Sequence, residues 1–482
     1  MDIEHVLNTH GIGATGLRTF DKKPPLAVLG FDATASGGSV VLSWTNPDDT
    51  DFAGVRIQRK IGSYPVDYGD GITVYKGKNS MFVDSSIDMN ARYYYRAFTY
   101  DYNGNYNKSD TMRSVARIEN LEKVYGIDID QSNPDPFTAV TYVGEAVGLT
   151  PGSAIIDAIY PFNRIRPVLL NSEGEAVSEL NKNNFNLTAQ GGTANLNSRH
   201  NVMIEFPKLW IKMETVGDVI QIRFASSKID ETYKCLAHMK GNEEKDVFYL
   251  GAYLSSYNSG MLKSWSGYRP ATALTIADHR NMARLNGEGY GLVSFYQWLY
   301  IQILFIFKYK SINSQAALGL GYTNTSERNA NVSGATNAKG MYYGSKTDNK
   351  ERVKFLGLED AYGNYATFLD GILLSPTYEM LTASTDFNDF GTGYELSPTN
   401  IASSLNGFIS KTHGTTTQGF LPKEVKGSSA GCYGDRAMLF SNNPFTCGGA
   451  FTESSSVGMF YLNSLYGASA KNIYVGSRLA YI

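Results

Sequence analysis

Arg92-Tyr93-Tyr94-Tyr95-Arg96-Ala97-Phe98-Thr99-Tyr100 reads as a strand: a run dense in aromatic side chains, closed by the turn cluster Asp101-Tyr102-Asn103-Gly104-Asn105. Upstream, Val40-Val41-Leu42-Ser43-Trp44 and Gly54-Val55-Arg56-Ile57-Gln58-Arg59 alternate with a period of two. Ser36-Gly37-Gly38 and Asn46-Pro47-Asp48-Asp49 supply the intervening turns. Short alternating strands with regular turns predict an all-β sandwich over residues 26–118. In front of it, residues 1–25 form an arm whose Lys22-Lys23-Pro24-Pro25 favours an extended linker.

Downstream the pattern loosens and then changes. Residues 119–205 read as a connector with short strands. Tyr125 to Asp130 and Phe137 to Val143 are extended, Asn133-Pro134-Asp135-Pro136 breaks the chain between them, and Asn181 to Ala194 is loop-like. From Val202 onward the pattern mixes α and β. Val202 to Met213 starts a strand pair, Val219 to Phe224 alternates strictly from Ile220, and Val247 to Tyr253 is a further strand. Thr275 to Leu285 predicts a helix with a capping Thr, Asp278 early, and Arg280 and Arg284 late, in keeping with the helix dipole. Val293 to Tyr309 is an apolar helix. It is shorter than the ~20 residues a bilayer span takes and is spotted with Ser294, Gln297 and Gln302, so it reads as buried. The fold class is therefore multi-domain and β-rich, a sandwich followed by an α+β domain at 206–482.

Composition narrows the function. Only 18% of the 482 residues are charged, and 48 Gly and 33 Tyr take their place, a mixture suited to twisted sheets, ordered loops and contact surfaces. Net charge is −3 with no basic stripe, which speaks against nucleic acid as a partner. Cys235, Cys432 and Cys447 are too few for a disulfide framework, and Met1-Asp2-Ile3-Glu4-His5 lacks a basic-then-apolar export pattern. The expectation is synthesis in a reducing cytoplasm, without membrane insertion.

Two resemblances emerge from these residues. The 26–118 order is similar to a fibronectin type III domain. Trp44 stands at its core-tryptophan position, Tyr93 stands at its corner-tyrosine position, and Tyr95, Ala97 and Thr99 follow on the inward face. Further along, Met203-Ile204-Glu205-Phe206-Pro207-Lys208-Leu209-Trp210, Glu244 to Tyr253, Asn313-Ser314-Gln315, Phe355 to Asn364 with its Gly357-Leu358-Glu359-Asp360 core, Phe420-Leu421-Pro422-Lys423 and Gly476-Ser477-Arg478-Leu479 resemble tail proteins of phages and prophages of Gram-positive bacteria. Their carboxy-terminal part has the C-type-lectin fold of phage tropism determinants.

That resemblance implies a virion component of the tail or baseplate that binds a host-surface glycan or protein. It also implies neighbouring tail proteins as partners and multivalent, trimeric display. A structural baseplate subunit whose lectin-like domain makes assembly contacts is the alternative. Glu359 and Asp360 read as acceptors for loop N–H groups rather than as contact residues. The contact region is placed at 427–475, with Tyr433, Tyr461 and Tyr466 as stacking platforms, Asp435, Asn463 and Asn472 as hydrogen-bond partners, and Arg436, Ser454 and Ser455 beside them.

No catalytic, metal or cofactor site is expected. The six His are scattered, and neither His-Glu-x-x-His nor Cys-x-x-Cys occurs. Gly287-Glu288-Gly289-Tyr290-Gly291 does not follow a strand, which disfavours a nucleotide loop. Asp386-Phe387-Asn388-Asp389 offers oxygen ligands for calcium, but a solvated acidic turn is the preferred reading. Cys432 and Cys447 are not expected to be catalytic, although a thiol near Arg436 has a route to activation.

Overall fold

The computed structural model describes residues 21–36, 39–87, 93–109, 112–116, 123–323 and 332–482. Most of the expected arm, the Gly37-Gly38 turn and the Arg92 start of the aromatic strand lie outside them. The chain divides into Met1–Glu122 and Lys123–Ile482. With 37% strand against 9% helix it is a β-rich protein of more than one unit.

The first unit contains β1 (Leu29–Ser36), β2 (Ser39–Thr45), β3 (Phe52–Ile61), β4 (Ile72–Gly77), β5 (Met81–Asp84), β6 (Tyr93–Asp101) and β7 (Arg113–Ala116). They form two sheets, ordered β1-β2-β5 and β4-β3-β6-β7. The alternation read in the sequence decides which side chains turn inward. Val40, Leu42 and Trp44 from one sheet share a core with Val55, Ile57, Tyr93, Tyr95 and Ala97 from the other. A buried polar group sits within it. Asp84 accepts from Arg59 at 2.7 Å and from the Tyr95 hydroxyl at 2.9 Å, so neither charge is left unpaired.

The second unit begins well before the expected domain boundary. Residues 125–205, read as a connector, supply strands to its sheets. β8 (Tyr125–Asp130), β9 (Val140–Gly144), β14 (Trp210–Val216) and β15 (Val219–Ala225) make one sheet in the order β14-β15-β8-β9. Another sheet runs β12 (Asn184–Thr188), β11 (Ala176–Asn181), β10 (Arg166–Leu170), β13 (Asn201–Pro207), then strands Val247–Gly251, Leu479–Tyr481 and Tyr290–Leu292. The stretch from Val202 to Met213 therefore holds two strands that do not pair with each other. β13 is buried along almost its whole length, as a central strand is, whereas β14 alternates. A six-stranded sheet carries the late sequence: Leu405–Phe408, Arg436–Leu439, Leu462–Asn463, Phe445–Cys447, Ala366–Leu369 and Val475–Gly476.

Both helices form where their caps place them. Thr275 caps Ile276–Arg284 and Ser294 caps Phe295–Tyr309, each through a capping box in which side chain and backbone bond reciprocally. The second helix is buried from Phe295 to Lys308. At roughly 1.5–3 kcal/mol for each large apolar side chain taken from water, its Leu, Ile and Phe residues dominate the stability of the unit. Among the described residues no helix is long and apolar enough to cross a membrane.

His238 lies inside this core, between the rings of Phe248 at 4.8 Å and Tyr300 at 5.7 Å. Neither ring nitrogen makes a hydrogen bond of good geometry. Burial, with Lys208 adding to it and Asp246 opposing, lowers its pKa to about 3. The unfolded chain therefore takes up this proton first as pH falls below 6.5, and the histidine costs stability from there down to about pH 3. His238→Phe keeps the ring packing and removes the titration. Urea melts at pH 7 and pH 5 are expected to show the variant gaining roughly 2 kcal/mol over wild type on acidification. An unchanged difference between the two pH values would refute the burial account.

Candidate functional site

The loops of the six-stranded sheet bring several of the expected contact residues together. Ser454 and Ser455 are exposed on a short 3-10 turn, Ser454–Ser456. Tyr466 is 42% exposed on the loop after Leu462–Asn463. Arg436 is half-buried at the start of its strand, with Nε and Nη2 donating to Asn406 Oδ1 on the neighbouring strand. These four and the half-buried Asn472 are the part of the predicted set that solvent reaches, and Leu465 is exposed beside Tyr466.

Four other predicted contact residues are not available to a ligand. Tyr433, Asp435, Tyr461 and Asn463 are all buried. Two of them instead hold the rim in place. The Tyr461 hydroxyl donates to Glu453 Oε1 at 2.5 Å, and Asn463 Nδ2 donates to that hydroxyl at 3.0 Å. Glu453 Oε2 accepts from the Ala450 backbone, while Asn463 Oδ1 accepts from the Leu465 backbone at 2.7 Å. One hydrogen-bonded chain thus ties the serine turn to the tyrosine loop. Burial raises the Glu453 pKa, the Tyr461 hydroxyl and Arg436 oppose that rise, and Tyr461 is pushed up by burial and by the neighbouring carboxylate.

Tyr433 and Asp435 face the interior. Tyr433 packs against Phe420 and Phe460, and its hydroxyl lies 3.0 Å from Thr412 Oγ1. Asp435 Oδ2 accepts from the Phe460 backbone at 2.7 Å, and burial raises its pKa well above the usual carboxylate range. Gly458 is required here, because a Cβ would strike both Asp435 and Ser314. Asn472 stands apart from the rim. Its side chain accepts from Tyr474 and its carbonyl from Ala273.

The sequence patterns read as structural behave so. Glu359 accepts from the backbones of Gly334 and Thr336 and from the Thr336 hydroxyl, and Asp360 pairs with Arg352 and Asn364. Arg478, fully buried, donates to the carbonyls of Gly251, Glu359 and Asp360 and so fastens the closing segment to this loop. All three cysteines are free, and burial pushes the Cys432 thiol up, away from the activation considered for it.

Within Asp386 to Asp389, two of the side chains are engaged internally. Asp389 pairs with Arg280 at 3.0 Å, and Asn388 Oδ1 accepts from the backbones of Phe390 and Thr392. That loop displays Phe390, 87% exposed, which the sequence reading passed over. The available signal was a large aromatic inside a turn cluster of Asp, Asn and Gly. In the first unit, Asp21, Asp51 and Asp101 each bring a carboxylate oxygen to within 4.8 Å of the others. Clefts open among the described residues of the second unit. One, of about 520 Å³, has Arg280, Arg284, Asp370 and Asp386 in its walls; another, of about 650 Å³, has Lys263 in its wall.

No protein-family model matches the chain, and no curated protein matches it. Among solved structures, the spore cortex lytic enzyme SleM of Clostridium perfringens aligns with 19% of this chain and 27% of its own, at 21% identity and a TM-score of 0.15. The chain thus spans little more than a quarter of that enzyme's length, and the likeness carries no inference.

Separating rim from scaffold gives a stability test. Tyr433→Ala is expected to cost about 3–5 kcal/mol in a denaturant melt, as for other large aromatic truncations in cores. Tyr466→Ala should stay within about 0.5 kcal/mol of wild type. Equal costs would mean that the two tyrosines do not differ in burial.

Proposed function

We propose that the chain is a non-catalytic receptor-binding protein of a phage tail or baseplate, with a fibronectin type III-like spacer and a C-type-lectin-like binding domain. The observation that carries this reading is the rim of Arg436, Ser454, Ser455 and Tyr466, held outward by the buried Glu453–Tyr461–Asn463 chain. Tyr, Ser and Arg on prearranged loops make a contact surface that loses little conformational freedom on binding. The 3+4 sheet pairing of the first unit supports the spacer reading, and two capped helices against mixed sheets support the lectin-like one. On this reading the partners are a host-surface glycan or protein and other tail proteins. A homo-oligomer, with a trimer favoured, multiplies a weak single-site affinity, and the virion is the place of work.

One observation favours the alternative of a structural subunit making assembly contacts. Phe390 and Leu396 are large, apolar and exposed on neighbouring segments, which suits a protein partner better than a sugar.

Adsorption of the purified full-length protein to a panel of Gram-positive cell walls separates the two. Receptor binding predicts saturable adsorption to some walls that falls at least tenfold in Tyr466→Ala with Ser455→Tyr, and that Phe390→Ser leaves intact. Adsorption to none, with Phe390→Ser blocking assembly with tail proteins, would overturn receptor binding in favour of the structural role.

A further inference from the structure

We infer that the cleft of about 650 Å³ between the Asn171–Glu175 turn, the start of β13 and the carboxyl end of helix Ile276–Arg284 binds a small phosphate ester through Lys263. The site shares no residue with the loop rim.

Lys263 is the reason. Its side chain lines the cleft, yet the residue is only 9% exposed. Its ammonium donates to Asn286 Oδ1 at 2.7 Å, and no carboxylate forms an ion pair with it among the described residues. A buried cation without a counter-ion is costly, and proteins keep such groups where something else completes them. The partial compensation is visible. The carboxyl end of the helix contributes partial negative charge, and the ammonium lies 5.7 Å from the Trp265 ring centroid. Burial still lowers the Lys263 pKa, the sign of a charge incompletely met.

The ammonium is also held still. Asn286 Oδ1 accepts from Asn201 Nδ2 as well, while Asn286 Nδ2 donates to the carbonyls of Leu262 and Ala283. With every polar atom of Asn286 engaged, Lys263 keeps its remaining N–H donors for the cleft.

The rest of the lining fixes the chemistry of the ligand. Arg199 stands exposed at the mouth with no hydrogen bond or ion pair among the described residues, and burial and Arg199 lower the pKa of His200 beside it, with Glu173 opposing. Glu173 is the one carboxylate in the lining. With Lys263 and Arg199 against Glu173, the lining carries one positive charge in excess. A fixed ammonium is a point charge suited to a tetrahedral oxyanion, whereas a carboxylate is better read by an immobilised guanidinium fork. The volume exceeds that of bare phosphate, and Val177, Met261 and Leu285 offer apolar wall to the carbon skeleton of an ester.

The test is calorimetric titration of the full-length protein with glycerol 3-phosphate at low salt, with inorganic phosphate and glycerol as separate arms. Saturable binding of the ester is expected, with phosphate weaker and glycerol inert. Lys263→Met should weaken the ester at least about tenfold, the worth of one charge-assisted hydrogen bond. Arg199→Gln, on the surface and without folding risk, should weaken it about threefold and lessen its salt dependence. No saturable binding to the wild-type protein, binding unaltered by both substitutions, or glycerol binding as well as its phosphate would each overturn the assignment. Phosphate binding as tightly as the ester would overturn the ester class. Because wall adsorption is read separately, failure here leaves the adhesion reading standing, and the reverse holds too.

Discussion

Helix Phe295–Tyr309 is the interaction on which the larger unit depends. Its side chains meet nearly every layer. Phe307 packs on Tyr125, Tyr142, Phe162 and Phe224, and so gathers the sheet built from β8, β9, β14 and β15. Tyr300 stands edge-on to Phe206 and Phe248 and donates to the Pro207 carbonyl, which docks the seven-stranded sheet. Trp298 Nε1 and Gln302 Nε2 both donate to the Met459 carbonyl, holding the segment that leads into the rim. A helix this apolar, and buried from Phe295 to Lys308, has no stable place except inside, and so it draws strands from distant parts of the chain around itself.

From this hub the order of the contact surface follows. Met459 is fixed by the helix, Phe460 is fixed by Asp435, and Tyr461 carries the hydrogen-bonded chain to Glu453 and Asn463. Most of these links are buried, and each is joined to the next by a hydrogen bond, which ties the turn to the loop. The polar residues that interrupt the helix serve the same end. Gln302 bonds Met459, and Gln297 completes the Ser294 cap.

The same economy governs the charges. Arg478 spends its guanidinium on three backbone carbonyls, Glu359 spends its carboxylate on loop N–H groups, and Arg280 grips Asp370. These groups take their partners from within the protein. Lys263 differs because its partner is a neutral amide and its other side is open cleft. A buried charge that faces a cleft without a counter-ion is what singles out the proposed ligand site.

Local pattern was legible in the sequence wherever period and caps act over a few residues. The alternation in β2 and β15, the capped start of the first helix, and the structural role of Glu359 and Asp360 could be read directly, because backbone geometry turns sequence spacing into direction. Tertiary structure decided the rest. β8 pairs with β15 across some ninety residues, a partnership no window of local sequence contains. Tyr433, Asp435, Tyr461 and Asn463 share the composition of a contact loop with Tyr466 and Ser455, yet they face inward. Composition records what a side chain is able to bind. Only packing fixes whether solvent or the protein's own core reaches it first.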